Sequence, residues 1–219
     1  MFNFLQISLT THCNLQCVFC PIKDYRNTDN IAYRLTNERL IPWLEKYIDP
    51  KRWIIELTGG EPALYNGIAE LCNWLSINNY HTLIKTNGLI EIKPYKNIVR
   101  VAAFHIYENP PKFWDRILIV NQLQSDIKEE YCKQNDMPYD IIGLDKDTSY
   151  NFVKHEFNKI AFLDPHGHNV RCPAKPISWK ADNDPYTIEH MPLKYGKCCK
   201  YCKAAIDAWR FMPEEWKQQ

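Results

Sequence analysis

Apolar and polar residues alternate from Phe4 to Thr10, the spacing of a half-buried strand. From Thr36 to Ile48 the apolar positions are Leu40, Ile41, Leu44 and Ile48. Steps of three and four predict a helix, with Thr36 as its N-cap. Pro42 falls inside that helix and is expected to kink it. Trp53–Leu57 reads as a buried strand and ends in Thr58-Gly59-Gly60-Glu61-Pro62. Ile68–Ile77 reads as a helix with Ile68, Leu71, Cys72 and Leu75 on one face. Tyr80–Lys85 reads as a strand ending in Thr86-Asn87-Gly88. Val99–Ile106, Ile117–Val120 and Tyr139–Ile142 are further strands, and Ser125–Asn135 is a helix.

The order is strand, helix, strand, helix, strand, then strands with little between them, then one more helix–strand step. Alternating strands and helices imply parallel pairing with right-handed crossovers. The segment between Ile106 and Ile117 contains Asn109-Pro110-Pro111 and is too short and proline-rich for a crossover helix. The expected fold is therefore α/β: a partial (β/α)6 barrel over residues 1–150 with a reduced helix layer. From Asn151 onward prolines and clustered cysteines increase and strand signals thin out. Residues 151–219 are expected to form a small, irregular, cysteine-rich extension. A segment from Ala204 to Phe211 is expected to close it with a short helix.

With 45% hydrophobic and 24% charged residues, a 219-residue chain can bury a real core. Lysine plus arginine is 27 and aspartate plus glutamate 26, so no overall field favours nucleic acid or anionic membrane. No apolar run approaches the ~20 residues of a membrane span. The Met-Phe-Asn-Phe-Leu-Gln start lacks the features of a secretory signal. A cytoplasmic location is expected. There, nine cysteines read as metal or redox ligands before disulfides.

Seven of the nine cysteines are clustered. Cys13-x3-Cys17-x2-Cys20 follows the first strand directly, and Cys172, Cys198, Cys199 and Cys202 lie near the end. Three thiolates on one loop can hold three corners of a cubane iron–sulfur cluster and leave one iron open to a small ligand. A zinc site would need a fourth ligand, and His12, adjacent to Cys13, is poorly placed to close a tetrahedron with it. Glycine is scarce, at seven residues, yet Gly59, Gly60 and Gly88 all follow strand-like runs. Glycine permits close backbone approach, so a site is expected at those strand ends. Cys72 and Cys132 read as packing residues.

Thr11-His12-Cys13-Asn14-Leu15-Gln16-Cys17-Val18-Phe19-Cys20 resembles the cysteine loop of radical S-adenosylmethionine (radical SAM) enzymes, including the aromatic Phe19 before the third cysteine. Thr58-Gly59-Gly60-Glu61-Pro62 is similar to that family's second-strand motif, and Thr86-Asn87-Gly88 to the turn after its third strand. The resemblance covers about the first 120 residues and fades beyond them. It implies that Cys13, Cys17 and Cys20 hold a [4Fe–4S] cluster whose open iron binds SAM. It further implies that Gly59, Gly60 and Glu61 line the methionine end of SAM, and that Asn87 bonds its ribose or carboxylate. Taken alone, Gly-Gly-Glu-Pro and Thr-Asn-Gly are ordinary turns. His105, Tyr107 and Glu108, at and beyond a strand end facing the barrel mouth, are candidates to touch substrate.

Residues Phe162–Cys172 read as strand, turn and strand, with His166 and His168 in an exposed turn. With Cys198, Cys199 and Cys202 they resemble the auxiliary-cluster extensions, SPASM or twitch, of many radical SAM enzymes. The departures are a low cysteine count, a long gap after Cys172 and the adjacency of Cys198 and Cys199. A second Fe–S cluster, a zinc knuckle and a metal-free loop all remain open. The resemblance implies reductive cleavage of SAM and hydrogen abstraction from a substrate. It also implies an electron donor such as flavodoxin or ferredoxin. A small open barrel suits a peptide or protein substrate that fills the mouth; a nucleotide-type small molecule, as in 7-deazapurine synthesis, is the alternative. The non-enzymatic rival is a zinc-stabilised binding module.

Overall fold

A computed structural model describes residues 2–17, 20, 26–27, 35–106, 108–121, 125–143, 157, 159–164, 169–170, 196–197 and 208–218. Strands β1 (Asn3–Ser8), β2 (Trp53–Thr58), β3 (His81–Thr86), β4 (Ile98–Phe104), β5 (Arg116–Asn121) and β6 (Tyr139–Gly143) pair in parallel, each with the next. Helices α1 (Asn37–Tyr47), α2 (Ile68–Ile77) and α3 (Ser125–Gln134) follow β1, β2 and β5. A parallel sheet whose strands lie in chain order is wound in one direction, so its crossover helices share one face. The hydrophobic clusters agree. Leu40, Trp43, Leu44, Leu71 and Leu75 of α1 and α2 pack on Leu5, Ile7, Ile55, Leu57 and Ile84. Cys132 of α3 packs on Ala102, Phe104, Ile117 and Ile119. This is the arrangement of an incomplete (β/α) barrel, with no helix among the described residues between β3 and β4 or between β4 and β5.

The sheet runs on past residue 143. Strand β7 (Lys159–Leu163) pairs in parallel with β1, which places β1 between β2 and β7. Two short strands, β8 (Asn169–Val170) and β9 (Gly196–Lys197), pair antiparallel with β7. The expected boundary at residue 150 lies outside the described residues, and so do the cysteines at 172, 198, 199 and 202. Of the strand–turn–strand expected over Phe162–Cys172, the two strands are present as β7 and β8, and 165–168 and 171–172 lie outside the described residues.

The face opposite α1–α3 is covered by the chain's last described residues. Phe4, Ile54, Leu83 and Val101 pack there with Phe157, Phe162, Ala208, Phe211, Met212 and Trp216. Residues 208–211 are helical, and helix α4 (Glu214–Lys217) carries Trp216, whose ring sits 4.5 Å from His81. Of the segment expected to close the extension, 204–207 lie outside the described residues, and Ala208 and Phe211 pack on the sheet's inner face. Helix α1 runs through Pro42; its buried Leu40, Trp43 and Leu44 hold it against the sheet.

Candidate active site

Parallel strands deliver their C-terminal ends to one rim, and the loops there carry the candidate residues. The chain leaves β1 at Ser8 and reaches Cys13 within five residues, so the first cysteine loop starts at that rim. A cleft of about 280 Å³ lies there, bordered by Cys13, Cys17 and Cys20, by Gly59, Gly60 and Glu61, and by Lys85, Thr86, Asn87 and His105. A larger cavity, about 570 Å³, lies by the N-terminal ends of α1 and α2 and has no cysteine among its lining residues.

The two glycines serve the chain's own backbone. Gly60 N–H donates to the Thr10 carbonyl at 2.6 Å, and Glu61 N–H donates to the His12 carbonyl at 2.7 Å. These bonds zip the turn after β2 to the segment entering the cysteine loop. Gly59 has φ of +132°, and a Cβ there would stand 2.5 Å from the Thr10 carbonyl oxygen. A Cβ on Gly60 would run into the carbonyl of His12. Close approach, expected at this turn, is real, and its partner is the backbone of residues 10–12.

Glu61 is 1% exposed and bridges two strand ends. Its Oε1 accepts from Ala63 N–H at 2.9 Å and from the Thr86 hydroxyl at 2.6 Å; its Oε2 accepts from Asn87 N–H at 2.7 Å. Burial pushes its carboxyl up from the usual range, and those three hydrogen bonds pull the other way. Asn87 donates from its amide to the Asn14 side chain at 2.6 Å, and its Oδ1 accepts from Leu89 N–H at 3.0 Å. Glu61 and Asn87 therefore brace the cysteine loop against β2 and β3 as well as bordering the cleft.

The loop is clamped a third time by Arg26, which sequence reading did not single out. Its guanidinium donates to the carbonyls of Leu15 at 2.9 Å and Cys17 at 3.2 Å. Cys13 N–H donates to the Asn27 side chain at 3.1 Å. Nothing local in the sequence marks Arg26, because the carbonyls it reaches are nine and eleven residues away.

His105 borders the cleft as expected. Burial, helped by the Lys128 charge, pushes its imidazole down to about 4, so it is neutral at neutral pH. Lys128 of α3 is 2% exposed and donates to the His105 carbonyl at 2.8 Å, holding the end of β4 against the helix. Glu108 is exposed and does not border the cleft. Tyr107 and Phe19 lie outside the described residues.

The donor set fits a polynuclear cluster. Burial raises the Cys13 thiol, with Glu61 and Cys20 adding to it and Arg26 opposing. Burial raises the Cys17 thiol as well, with Cys13 and Cys20 adding to it. The Cys13 and Cys17 thiols, raised by burial, become thiolates readily only beside a cation such as iron. Among the described residues, no three His, Cys, Asp or Glu side chains converge closely enough to hold a single metal ion. Thiols spread around a cleft suit a cubane, whose irons lie at separate corners.

The radical SAM superfamily model matches residues 7–107. The 7-carboxy-7-deazaguanine synthase of Clostridium acetobutylicum is 36% identical over 123 residues, 55% of this chain and 54% of that protein. The GTP 3',8-cyclase of Pseudomonas putida is 34% identical over 195 residues, 87% of this chain and 54% of that protein. The chain thus spans about half the length of these curated relatives. Among solved structures, Streptococcus suis SuiB bound to precursor peptide SuiA has a TM-score of 0.47 at 20% identity, over 72% of this chain and 43% of that one. No helix among the described residues is long and apolar enough to cross a membrane.

Proposed function

Because residues 7–107 are a radical SAM domain, we propose that this chain is an enzyme acting on a nucleotide-type small molecule. The observation that carries the chemistry is the rim cleft where the three thiols meet Gly59, Gly60, Glu61 and Asn87. The nucleotide-type substrate is favoured by the two relatives above, whose names are a deazaguanine synthase and a GTP cyclase. Peptide modification, the first expectation from the sequence, has weaker support.

When bound, the cluster and SAM supply one-electron cleavage of the sulfonium and a 5′-deoxyadenosyl radical able to take a hydrogen atom from substrate. The chain's part is to bind and aim. Cys13, Cys17 and Cys20 hold the cluster. Arg26, Asn14 and Asn87 fix the loop that carries them. Glu61 ties the SAM side of the cleft to β3. Neutral His105, Ala103 and Leu118 give one side of the cleft a wall without formal charge, which limits the water held beside the reacting groups. The test uses anaerobically reconstituted protein with SAM and dithionite. Adding GTP or another purine nucleotide is expected to raise 5′-deoxyadenosine release severalfold and to consume the nucleotide. Stimulation by no nucleotide, but by a peptide, would overturn the substrate reading and leave the SAM chemistry standing.

A second, auxiliary Fe–S cluster in the C-terminal region belongs to the same proposal. Strands β8 and β9 both lie along the free edge of β7. Val170 ends β8 two residues before Cys172, and Lys197 ends β9 immediately before Cys198. The reading is supported by these two strands sharing the edge of β7, with Cys172 and Cys198 following them 26 residues apart in sequence. Two cubanes predict about eight irons per chain. Replacing Cys172 and Cys202 together is expected to remove about half, and to leave SAM cleavage at the first cluster intact. Zinc in place of that half, measured by metal analysis, would show a structural knuckle instead.

A further inference from the structure

One ion pair reaches the cleft through Lys85. Gln6, Glu56 and Lys85 stand on neighbouring strands β1, β2 and β3. Gln6 is opposite Glu56, and Glu56 is opposite Leu83, so Lys85, two residues further along β3, shares their face. That face carries Phe4, Ile54 and Leu83 below, packed against the C-terminal helices. The polar trio therefore sits between an apolar floor and the cysteine loop.

Glu56 is fully buried. The Gln6 amide donates to its Oε1, and its Oε2 lies 3.2 Å from Lys85 Nζ. Lys85 is 19% exposed, and it borders the same cleft as the three cysteines. Burying a charge pair costs more desolvation than its mutual attraction reliably returns, and apolar residues of the same shape are often at least as stable. Stability is thus a poor reason for this pair. Its geometry gives a better one. The Glu56 carboxylate holds the Lys85 ammonium in position, and the Gln6 amide fixes the carboxylate in turn.

We propose that Lys85, braced by Glu56 and Gln6, binds a carboxylate or phosphate of the small-molecule substrate on the inner face of the barrel, beneath the SAM position. This rests on the nucleotide-type reading above and adds to it which group of the ligand is held, and where. The ligand is thereby oriented with its acidic end down toward Glu56–Lys85 and its remaining part up toward the radical.

The test measures binding to the holoprotein with SAM present, using two ligand pairs that differ only in acidic groups. The pairs are 7-carboxy-7-deazaguanine with 7-deazaguanine, and GTP with guanosine. Wild-type protein is expected to prefer the charged member of at least one pair by roughly ten- to a hundredfold, the size of one charge-assisted contact. Lys85→Met should abolish the preference, and Lys85→Arg should keep part of it. Lys85→Met strands the Glu56 charge, so the double variant Glu56→Gln/Lys85→Met serves as the folding control. It should fold, bind SAM as the wild type does and show no preference. Preference retained by Lys85→Met would overturn the proposal, as would SAM affinity falling in step with it, which would assign the lysine to the SAM carboxylate. If both members of each pair bind wild-type protein equally, only the anion site falls. If none binds, the nucleotide reading falls and takes the anion site with it.

Discussion

Protein with Cys13, Cys17 and Cys20 all replaced by alanine is expected to release no 5′-deoxyadenosine from SAM under reducing, anaerobic conditions. The expected loss is complete, because no other described side chain offers a thiolate to this cleft. The same variant should still fold. The three cysteines lie in a loop beyond β1, and the packed residues beneath it, Leu5, Ile7, Ile55 and Leu57, are untouched. It should also keep about half the iron of the wild-type protein if the C-terminal cysteines hold a second cubane. Iron analysis and product chromatography on one sample decide both points. Unchanged SAM cleavage in the triple variant would remove the loop from the chemistry altogether.

Gly60→Ala is expected to be the most damaging single change outside the cysteines. The new methyl group would run into the His12 carbonyl, which is backbone and cannot rotate away as a side chain tip can. Relief requires the turn after β2 to pull back from residues 10–12. That breaks the bonds from Gly60 N–H to Thr10 and from Glu61 N–H to His12. Overpacking of this kind costs about 1–3 kcal/mol and each lost bond about 1 kcal/mol. A fall of roughly 3–5 kcal/mol would lower the melting temperature by about 10 °C in a chain of this size. Cluster reconstitution should fail as well, because the same shift moves Cys13 relative to Glu61. A Gly60→Ala protein with wild-type melting and full iron would show that the contact is not required. The neighbouring Gly59→Ala should be similarly costly, since its φ of +132° adds backbone strain to the clash.

Much of the sheet was legible because its signal is local. All six strands expected before residue 150 are present, and so are the three helices with their buried Leu40, Leu71 and Cys132. The proline-rich stretch after β4 correctly marked a missing crossover helix. Strand β9 is two residues long and has no period to read. Of the C-terminal helices only the one ending at Phe211 was read from the sequence, and neither was legible as a lining for the sheet, because Phe211 and Trp216 meet partners such as Phe4 some two hundred residues earlier. In the site, the cysteine loop and the Gly-Gly-Glu turn were legible as motifs. Their coupling through backbone bonds was not, nor was the role of Asn87 in gripping Asn14. A charge inside the apolar run Trp53–Leu57 was the one visible trace of the Glu56–Lys85 pair. Its partner stands on another strand, where no sequence period connects them.

The cover on the inner face also dictates when the protein can become safe from its neighbours in the cell. Phe4, Ile54, Leu83 and Val101 are all synthesised within the first half of the chain, while Phe211, Met212 and Trp216 come last. At about 5–20 residues per second, the ribosome needs roughly six to twenty-three seconds to make the stretch from Val101 to Trp216. Phe157, Phe162 and β7 arrive midway through that interval, and the apolar face stays only partly covered until Phe211, Met212 and Trp216 follow. Holding chaperones or low temperature should therefore raise the yield of usable protein, and slowed translation should lower it.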